Sequence, residues 1–341
     1  MTDTETRAPA SSDTPQAERA ASRASAARGA PLARVIGRRL LEIVLVLWGA
    51  ATITFIAVKS IPGDPVDIIS GGENIVDAEQ RALITAQYGL DQPILVQYAT
   101  YVGRAFVGDF GDSYVFRAPV LEVIGNAAVP TLQLAGAAFV LGIALALAAA
   151  LFTSGRRPVL RWLASGVELL LLSTPVYWVG IVLLVVFSFG LGWFPVTGAD
   201  GPASLVLPAI ALALPIAAVL SQVLRDGVET ALTQPFALTV RSRGVGEGAL
   251  RARHALRHAL LAASTVSGNV LGGLLGGSIL TETVFGRPGI GQITLLGIGS
   301  RDMPLILGLV VLSALVYSIV NLVIDLGYRA IDPRVRDGVA V

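Results

Sequence analysis

Six long apolar runs constrain the fold of this chain more than any other feature of its sequence. They cover about residues 40–61, 128–152, 162–190, 204–224, 259–281 and 304–328. A helix needs ~20 mostly apolar residues to cross the hydrocarbon core of a bilayer. Backbone polar groups inside lipid must hydrogen bond within the protein, so each run should be helical. The sequence therefore predicts an all-α integral membrane protein with six transmembrane helices in the cell membrane.

The composition supports this prediction and excludes several other classes of protein. Hydrophobic residues make up 54% of the chain and charged residues only 14%, whereas an ordinary soluble domain has ~25% charged residues. The net charge of +1 offers no broad basic surface for nucleic acid. The chain has no cysteine, which excludes disulfides and thiolate metal sites.

The apolar runs divide the chain into five segments. Residues 1–33 are rich in Ala, Ser, Pro and Arg, and such a segment cannot bury enough apolar surface to become ordered. We therefore expect a disordered cytoplasmic tail there, and a second cytoplasmic tail at the other end of the chain. The remaining segments are a first span at 34–61, an extracytoplasmic segment at 62–126, a core of spans two to six at 127–328, and the second tail at 329–341.

The basic residues predict the orientation of the spans, because cytoplasmic flanks carry an excess of lysine and arginine. With the N-terminus inside, the inner flanks hold fifteen basic residues and the outer segments hold six. The other four of the 25 lie before residue 32. This bias predicts that both termini are cytoplasmic.

ATP hydrolysis on this chain is excluded by its lysine content. A Walker A phosphate loop needs a lysine after its second glycine, and the only lysine here is Lys59, which follows Val58. We therefore expect no cofactor on this chain. An intramembrane proton relay is also disfavoured, because the span carboxylates Glu42, Glu168 and Asp325 lie near predicted cytoplasmic ends, where water or an arginine can satisfy them.

Two further patterns are open to a structural or a functional interpretation. His254 and His258 have the i, i+4 spacing of a helical metal pair, but the stretch is strongly basic, so an exposed helix face is the better interpretation.

Small residues at i, i+4 and i+8 let helices approach closely. Helix packing explains each glycine singly, whereas the whole face is typical of a pore-lining helix; its members are Gly268, Gly272, Gly273, Gly276 and Gly277.

The cytoplasmic segment 225–258 has the signals of a helix–turn–helix rather than of a plain loop. Pro235 suits the first turn of a helix, and Gly244 suits the position just past a helix end. A second helix from about Ala249 would carry Arg251, Arg253 and both histidines. Positive-inside charge alone explains the arginines but not these helix signals.

This segment resembles the EAA loop of ABC importer permeases of the dipeptide, oligopeptide and nickel permease family. The similar residues are TVRSRG at 239–244 and RHALRHALL at 253–261. The Glu and two Ala that give the loop its name are replaced by Leu238, Thr239 and Val240. Other family-like segments follow in order: PGDPV at 62–66, YGLDQP at 88–93, GDFG at 108–111, STPVYWVG at 173–180, LGWFPV at 191–196 and VFGRPGIG at 284–291.

The resemblance implies a type I ABC importer permease fold and a role as half of a translocation pathway for peptides. It implies that the loop docks on an ATPase through Thr239, Arg241, Arg243, Gly244 and Arg253. The implied partners are a second permease, two ATPases that hold ATP and Mg²⁺, an extracytoplasmic solute-binding protein and membrane lipid. Nickel or a metal chelate is the alternative cargo within the same family.

Two hypotheses from other classes remain open at this point. A secondary transporter would show internal repeats and midplane charges, and neither is evident. A membrane receptor or scaffold without transport activity would not explain the predicted cytoplasmic helix pair or the proline-broken spans.

Overall fold

The computed structural model describes residues 32–60, 65–69, 77–155 and 158–331. Regular structure within these ranges is helical, apart from one isolated bridge between Asp112 and Pro119. The prediction of an all-α protein is therefore confirmed. The predicted tails 1–33 and 329–341 lie almost wholly outside the described residues, and so does the side chain of Asp325.

The first part of the chain is one long helix followed by three shorter ones. They are α1 (Leu32–Lys59), α2 (Pro65–Ile69), α3 (Ala78–Gln87) and α4 (Ile94–Phe106). The helix α1 covers most of the first apolar run and begins eight residues before it. Asp77 caps α3 by accepting a hydrogen bond from the Gln80 amide at 2.7 Å, as expected of a helix N-cap.

The second and third apolar runs fold differently from one another. The second lies in one continuous helix, α5 (Val120–Thr153). The third is divided between α6 (Pro158–Ser173) and α7 (Val176–Leu183), and α7 continues as a π-helical segment at Leu184–Gly190. The two parts meet at 99°. Pro175 lies at the break, where it lacks the amide that would continue α6.

The fourth run forms α8 (Ala203–Leu232), which is unbroken although Pro208 and Pro215 lie inside it. Most of α8 is buried, and it packs against both α5 and the later helix α11 (Leu256–Val284). The approach to that helix is close: a Cβ on Gly227 would lie 2.7 Å from the Cβ of Ala259. The helix α8 is therefore the central element of the molecule.

The C-terminal part holds most of the segment predicted to be cytoplasmic and the last two apolar runs. Its elements are α9 (Pro235–Ser242), α10 (Glu247–Ala249), a π-helical segment (Leu250–Ala255), α11 (Leu256–Val284), α12 (Ile290–Gly299) and α13 (Met303–Ile331). The stretch from Glu247 to Val284 is continuous but bent by 50°. By length and composition, the described residues provide four unbroken helices that could cross a membrane, and the number reaches the predicted six if each of the two bent pairs is one span.

Three buried apolar clusters hold these helices together. The largest joins α5, α8 and α11, through residues such as Leu134, Leu220 and Ala259. A second joins α1, α5, α12 and α13. A small third cluster packs Leu184 and Phe285 against α8. In contrast, α1 and α6 expose large apolar side chains such as Ile53 and Trp162, which suits helices that face lipid or another membrane subunit.

Candidate functional site

The segment predicted to be cytoplasmic, 225–258, begins within the last turns of α8 and then forms two helices joined by a tight turn. The helix α9 begins with Pro235 at its first turn and ends at Ser242. The turn is made by Gly244, whose φ of +78° is one that residues with a Cβ rarely adopt. Its amide donates to the Arg241 carbonyl at 2.9 Å. A Cβ at this position would meet no atom within 4 Å, so the need for glycine comes from the backbone and not from crowding.

Four predicted loop residues lie on α9 and its C-terminal turn: Thr239, Arg241, Arg243 and Gly244. Arg253 lies on the π-helical segment that follows, and all five are exposed. Leu238 is also 71% exposed, whereas Ala237 on the same helix is fully buried. The exposed surface of α9 is therefore basic and includes the apolar side chain of Leu238. The buried side of the helix, which includes Ala237, packs against the rest of the protein.

An ion pair braces the turn between the two helices. Arg241 Nε donates to Glu247 Oε1 at 2.7 Å, and this hydrogen bond raises the pKa of the Arg241 guanidinium above its ordinary value. Phe236 on α9 packs its ring against that of His258 on α11, with 4.9 Å between the ring centres. The ion pair therefore holds α9 to α10, and the ring contact holds α9 to the start of α11.

Arg251, which the sequence places only among the basic residues of the second helix, anchors the segment from within. It is 92% buried, and its Nη1 donates to the carbonyl of Ser154 at the end of α5 at 3.1 Å. Its Nε donates to the Glu247 carbonyl, also at 3.1 Å. A buried guanidinium that donates to carbonyls at a helix end satisfies groups that the helix leaves unpaired. The segment is thus attached to α5 as well as to α8 and α11.

A buried ion pair joins α6 to α8 on the same side of the protein. Arg225 donates through Nη1 and Nη2 to the two carboxylate oxygens of Glu168, at 2.8 and 2.6 Å. Ser221 donates to the same carboxylate at 2.7 Å. The sequence predicted pairing of Glu168 with water or a nearby arginine, and the arginine is present. A second, more exposed pair joins the same helices, between Arg161 and Glu229 at 2.8 Å.

A second polar network lies at the other end of the molecule, and the sequence did not predict it. Glu282 is fully buried near the end of α11. Its carboxylate accepts from the Thr131 hydroxyl at 2.6 Å and from the Gly291 amide at 2.7 Å. Because Gly291 is in the first turn of α12, the carboxylate caps that helix, which is where a helix favours negative charge. Glu282 falls one residue past the end of the predicted fifth span, so the carboxylates within the predicted spans do not include it.

Two further charged residues are buried close to this network. Asp302 accepts from the Ser113 hydroxyl at 2.5 Å and from the Leu305 amide at 3.2 Å, so it caps α13 and holds the loop before α5. Arg287 is 1% exposed, and its Nη1 lies 3.4 Å from the Ser204 carbonyl. Its Nε has no hydrogen-bond partner among the described residues.

The predicted glycine face on α11 is not uniform in its surroundings. A Cβ on Gly272 would lie 3.2 Å from Tyr317, and one on Gly277 would lie 3.3 Å from Leu212. Gly268 is buried. Gly273 and Gly276 have no atom within 4 Å of such a Cβ. Part of the face therefore packs on α13 and α8, while the rest is open, and its role in lining a pore stays a prediction.

No group of three metal-ligating side chains converges anywhere in the described parts of the chain. His258 packs on Phe236, and His254 is exposed on the π-helical segment. The two histidines thus have the surroundings of an ordinary helix surface.

Comparison with known proteins identifies the family. The family described as "Binding-protein-dependent transport system inner membrane component" matches residues 121–337, and a second, described as "Binding-prot-dependent transport system membrane comp, N-term", matches residues 32–146. A chain from an amino acid ABC transporter of known structure aligns with a TM-score of 0.47 at 18% identity, over 61% of this chain and 94% of that one.

Two relatives extend the match to nearly the whole chain. The glutathione transport system permease protein GsiC of Salmonella typhimurium is 36% identical over 306 residues, which cover 88% of this chain and 97% of the relative. GsiC of Escherichia coli K12 is 35% identical over 302 residues, with the same coverage. The chain therefore belongs to the binding-protein-dependent transport system inner membrane component family, as a multi-pass ABC importer permease subunit of the dipeptide and oligopeptide group.

Proposed function

We propose that this subunit forms half of a translocation pathway for short peptides of the glutathione kind, and that α9 transmits the action of a partner ATPase to it. An extracytoplasmic binding protein would deliver the peptide, and a second permease would complete the pathway. Two ATPase chains, holding ATP and Mg²⁺, would supply the energy.

The exposed basic surface of α9 is the observation on which this proposal rests. The helix presents Thr239, Arg241 and Arg243 outward. It is held to α10 by the Arg241–Glu247 pair and to the start of α11 by Phe236. An anchored helix of this kind can move as a rigid body together with the spans that carry it. Arg251 extends the connection to α5. A push on α9 would therefore reach three helices of the core.

The peptide cargo is supported by the relatives, which are named as glutathione transport permeases and align over 88% of this chain. Nickel or a metal chelate remains the alternative cargo. The excess of arginine in the predicted inner flanks supports a cytoplasmic position for α9. With six spans, both ends of the chain would lie on the same side of the membrane.

The test of coupling uses two leucines of similar exposure that lie on different parts of the protein. Leu238 on α9 is 71% exposed, and Leu83 on α3, in the extracytoplasmic segment, is 63% exposed. Leu238→Asp should remove ATPase subunits from the purified complex and abolish ATP-driven glutathione uptake in proteoliposomes. Leu83→Asp should leave the ATPases in place. Equal recovery of ATPases with both variants would contradict the coupling role of α9.

Purification of the tagged chain from its native membrane, followed by mass spectrometry, tests the partners directly. The proposal requires two ATPases and a second permease in the preparation. Recovery of a homodimer alone, under conditions that keep other complexes intact, would favour a secondary transporter. Uptake of nickel or a metal chelate without uptake of glutathione would replace the cargo but retain the coupling scheme.

A further inference from the structure

A cavity of about 460 Å³ lies in the extracytoplasmic segment, apart from the cytoplasmic loop. Its walls come from the end of α1, from α3 and α4, from residues 109–114 and from the start of α13. Phe55 and Phe110, which are 8% and 7% exposed, form an apolar part of the lining. Small-molecule sites usually have ~300–1,000 Å³ and a few polar groups on apolar walls, and this cavity has both properties.

Two charged groups in the lining, Lys59 and Asp112, form no salt bridge among the described residues, and the charge of Arg104 acts on Asp112 from a distance. The Lys59 ammonium donates to the Gln97 amide oxygen at 2.6 Å and lies 5.9 Å from the centre of the Phe55 ring. The Asp112 carboxylate makes no side-chain hydrogen bond within the described ranges. In contrast, Arg104 and Asp109, which also line the cavity, satisfy each other through hydrogen bonds of 2.9 and 3.1 Å.

Three tyrosines supply the cavity with neutral hydrogen-bonding groups. The rings of Tyr88 and Tyr114 meet edge to face with 5.2 Å between their centres, and Tyr101 lines the same space. Burial raises the pKa of Tyr101 and Tyr114 above the ordinary value, so both phenols stay protonated. None of the three hydroxyls bonds to another group in the parts of the chain that the structure describes. They are therefore free to bind a ligand.

We propose that this cavity binds a small zwitterion, such as a free amino acid or a short peptide with charged termini. The carboxylate of the ligand would meet Lys59, and its ammonium group would meet Asp112. The tyrosine rings and hydroxyls would surround the uncharged part, and aromatic faces also attract ammonium groups. Hydrogen bonds between charged groups are about twice as strong as neutral ones, so the two termini would dominate recognition.

The charge balance of the lining favours a zwitterion over a simple ion. The cavity has two cations and two anions, and one of each is already used in the Arg104–Asp109 pair. The remaining Lys59 and Asp112 carry opposite charges. A lone anion or cation, or one charged side chain of a docking protein, would satisfy only one of them.

Calorimetric titration of the assembled permease in nanodiscs, without its binding protein or ATP, tests this proposal apart from transport. The probes are triglycine, N-acetyl-triglycine, triglycine amide and the doubly blocked N-acetyl-triglycine amide. We expect triglycine to bind, and loss of either terminal charge to weaken binding roughly tenfold or more. No heat with triglycine up to millimolar concentration would overturn the proposal, as would equal binding of all four probes.

Two variants assign the termini to their proposed partners. Lys59→Gln should remove the preference for triglycine over its amide, while keeping the preference for a free amino terminus. Asp112→Asn should do the reverse. Asp91→Asn, an exposed carboxylate of the same segment that does not line the cavity, should change neither preference. If both preferences survive in both cavity variants, the zwitterion binds elsewhere and the assignment is wrong, whatever the outcome for peptide uptake or ATPase coupling.

Discussion

Replacing Glu168 with glutamine tests how strongly the first part of the broken third span is held to α8. Both members of the Glu168–Arg225 pair are buried, with side chains only 7% and 5% exposed. Glutamine keeps the shape but removes the charge, and an arginine cannot lose its proton in response. Removal of one partner from a buried pair costs about 3–5 kcal/mol, because the other charge stays buried and uncompensated.

The pair between Arg161 and Glu229 joins the same two helices and provides the matched control. Its side chains are 58% and 26% exposed, so water screens the interaction. Exposed pairs contribute about 0.2–1 kcal/mol. Because the unfolding entropy grows with chain length, each kcal/mol shifts the Tm of a chain of 341 residues by roughly 1–2 °C. We therefore expect Glu168→Gln to lower Tm by roughly 3–10 °C, and Glu229→Gln by less than about 2 °C.

Thermal unfolding of the purified chain in nanodiscs measures the difference, at low salt and at high salt. High salt should reduce the small effect of Glu229→Gln but not the effect at Glu168, because buried pairs are screened much less. A double variant, Glu168→Leu with Arg225→Met, should regain most of the lost Tm, since it removes both buried charges. Equal Tm shifts for Glu168→Gln and Glu229→Gln would refute this account of the α6–α8 contact.

Two further predictions use paired glycines. Gly244→Val should abolish ATPase coupling while membrane insertion persists, because the φ of +78° at this position strains any residue with a Cβ. Gly248→Val is the control and should retain ATP-driven uptake, since a Cβ at Gly248, like one at Gly244, would meet no atom within 4 Å. Preserved solute-stimulated ATP hydrolysis in the first variant would rule out this role. Gly291→Ala should lower Tm well beyond Gly299→Ala, because only its Cβ would collide with the Cα of Ile279. Similar Tm values for those two variants would show that α12 can shift to accept the methyl group.

The helices were predictable from the sequence where a local signal determines them. Apolar runs long enough to span a bilayer are helices in the structure, and Pro235 and Gly244 lie at the start and the turn of the helix pair that was predicted to be cytoplasmic. The break at Pro175 has the same kind of local cause. The 99° angle between α6 and α7 has no such local cause, because it depends on how both helices pack against α8.

The buried charges were harder to predict because their partners are distant in sequence. Glu282 bonds to Thr131, and Asp302 bonds to Ser113. From the sequence, Arg251 is one of several basic residues in a loop predicted to be cytoplasmic. In the structure, its guanidinium donates to the carbonyl of Ser154 at the end of α5. A count of charges in each span detects such residues only when they fall inside the predicted limits.

The proline at 208 makes α8 dependent on a residue far along the chain. Because proline has no amide hydrogen, Pro208 leaves the carbonyl four residues before it, that of Ser204, without its helical donor. Arg287 Nη1, 3.4 Å away, takes the place of that donor. Pro208→Ala would restore the helical bond and leave the buried guanidinium competing for its acceptor. The two positions are therefore epistatic: the effect of a substitution at either one depends on the residue present at the other.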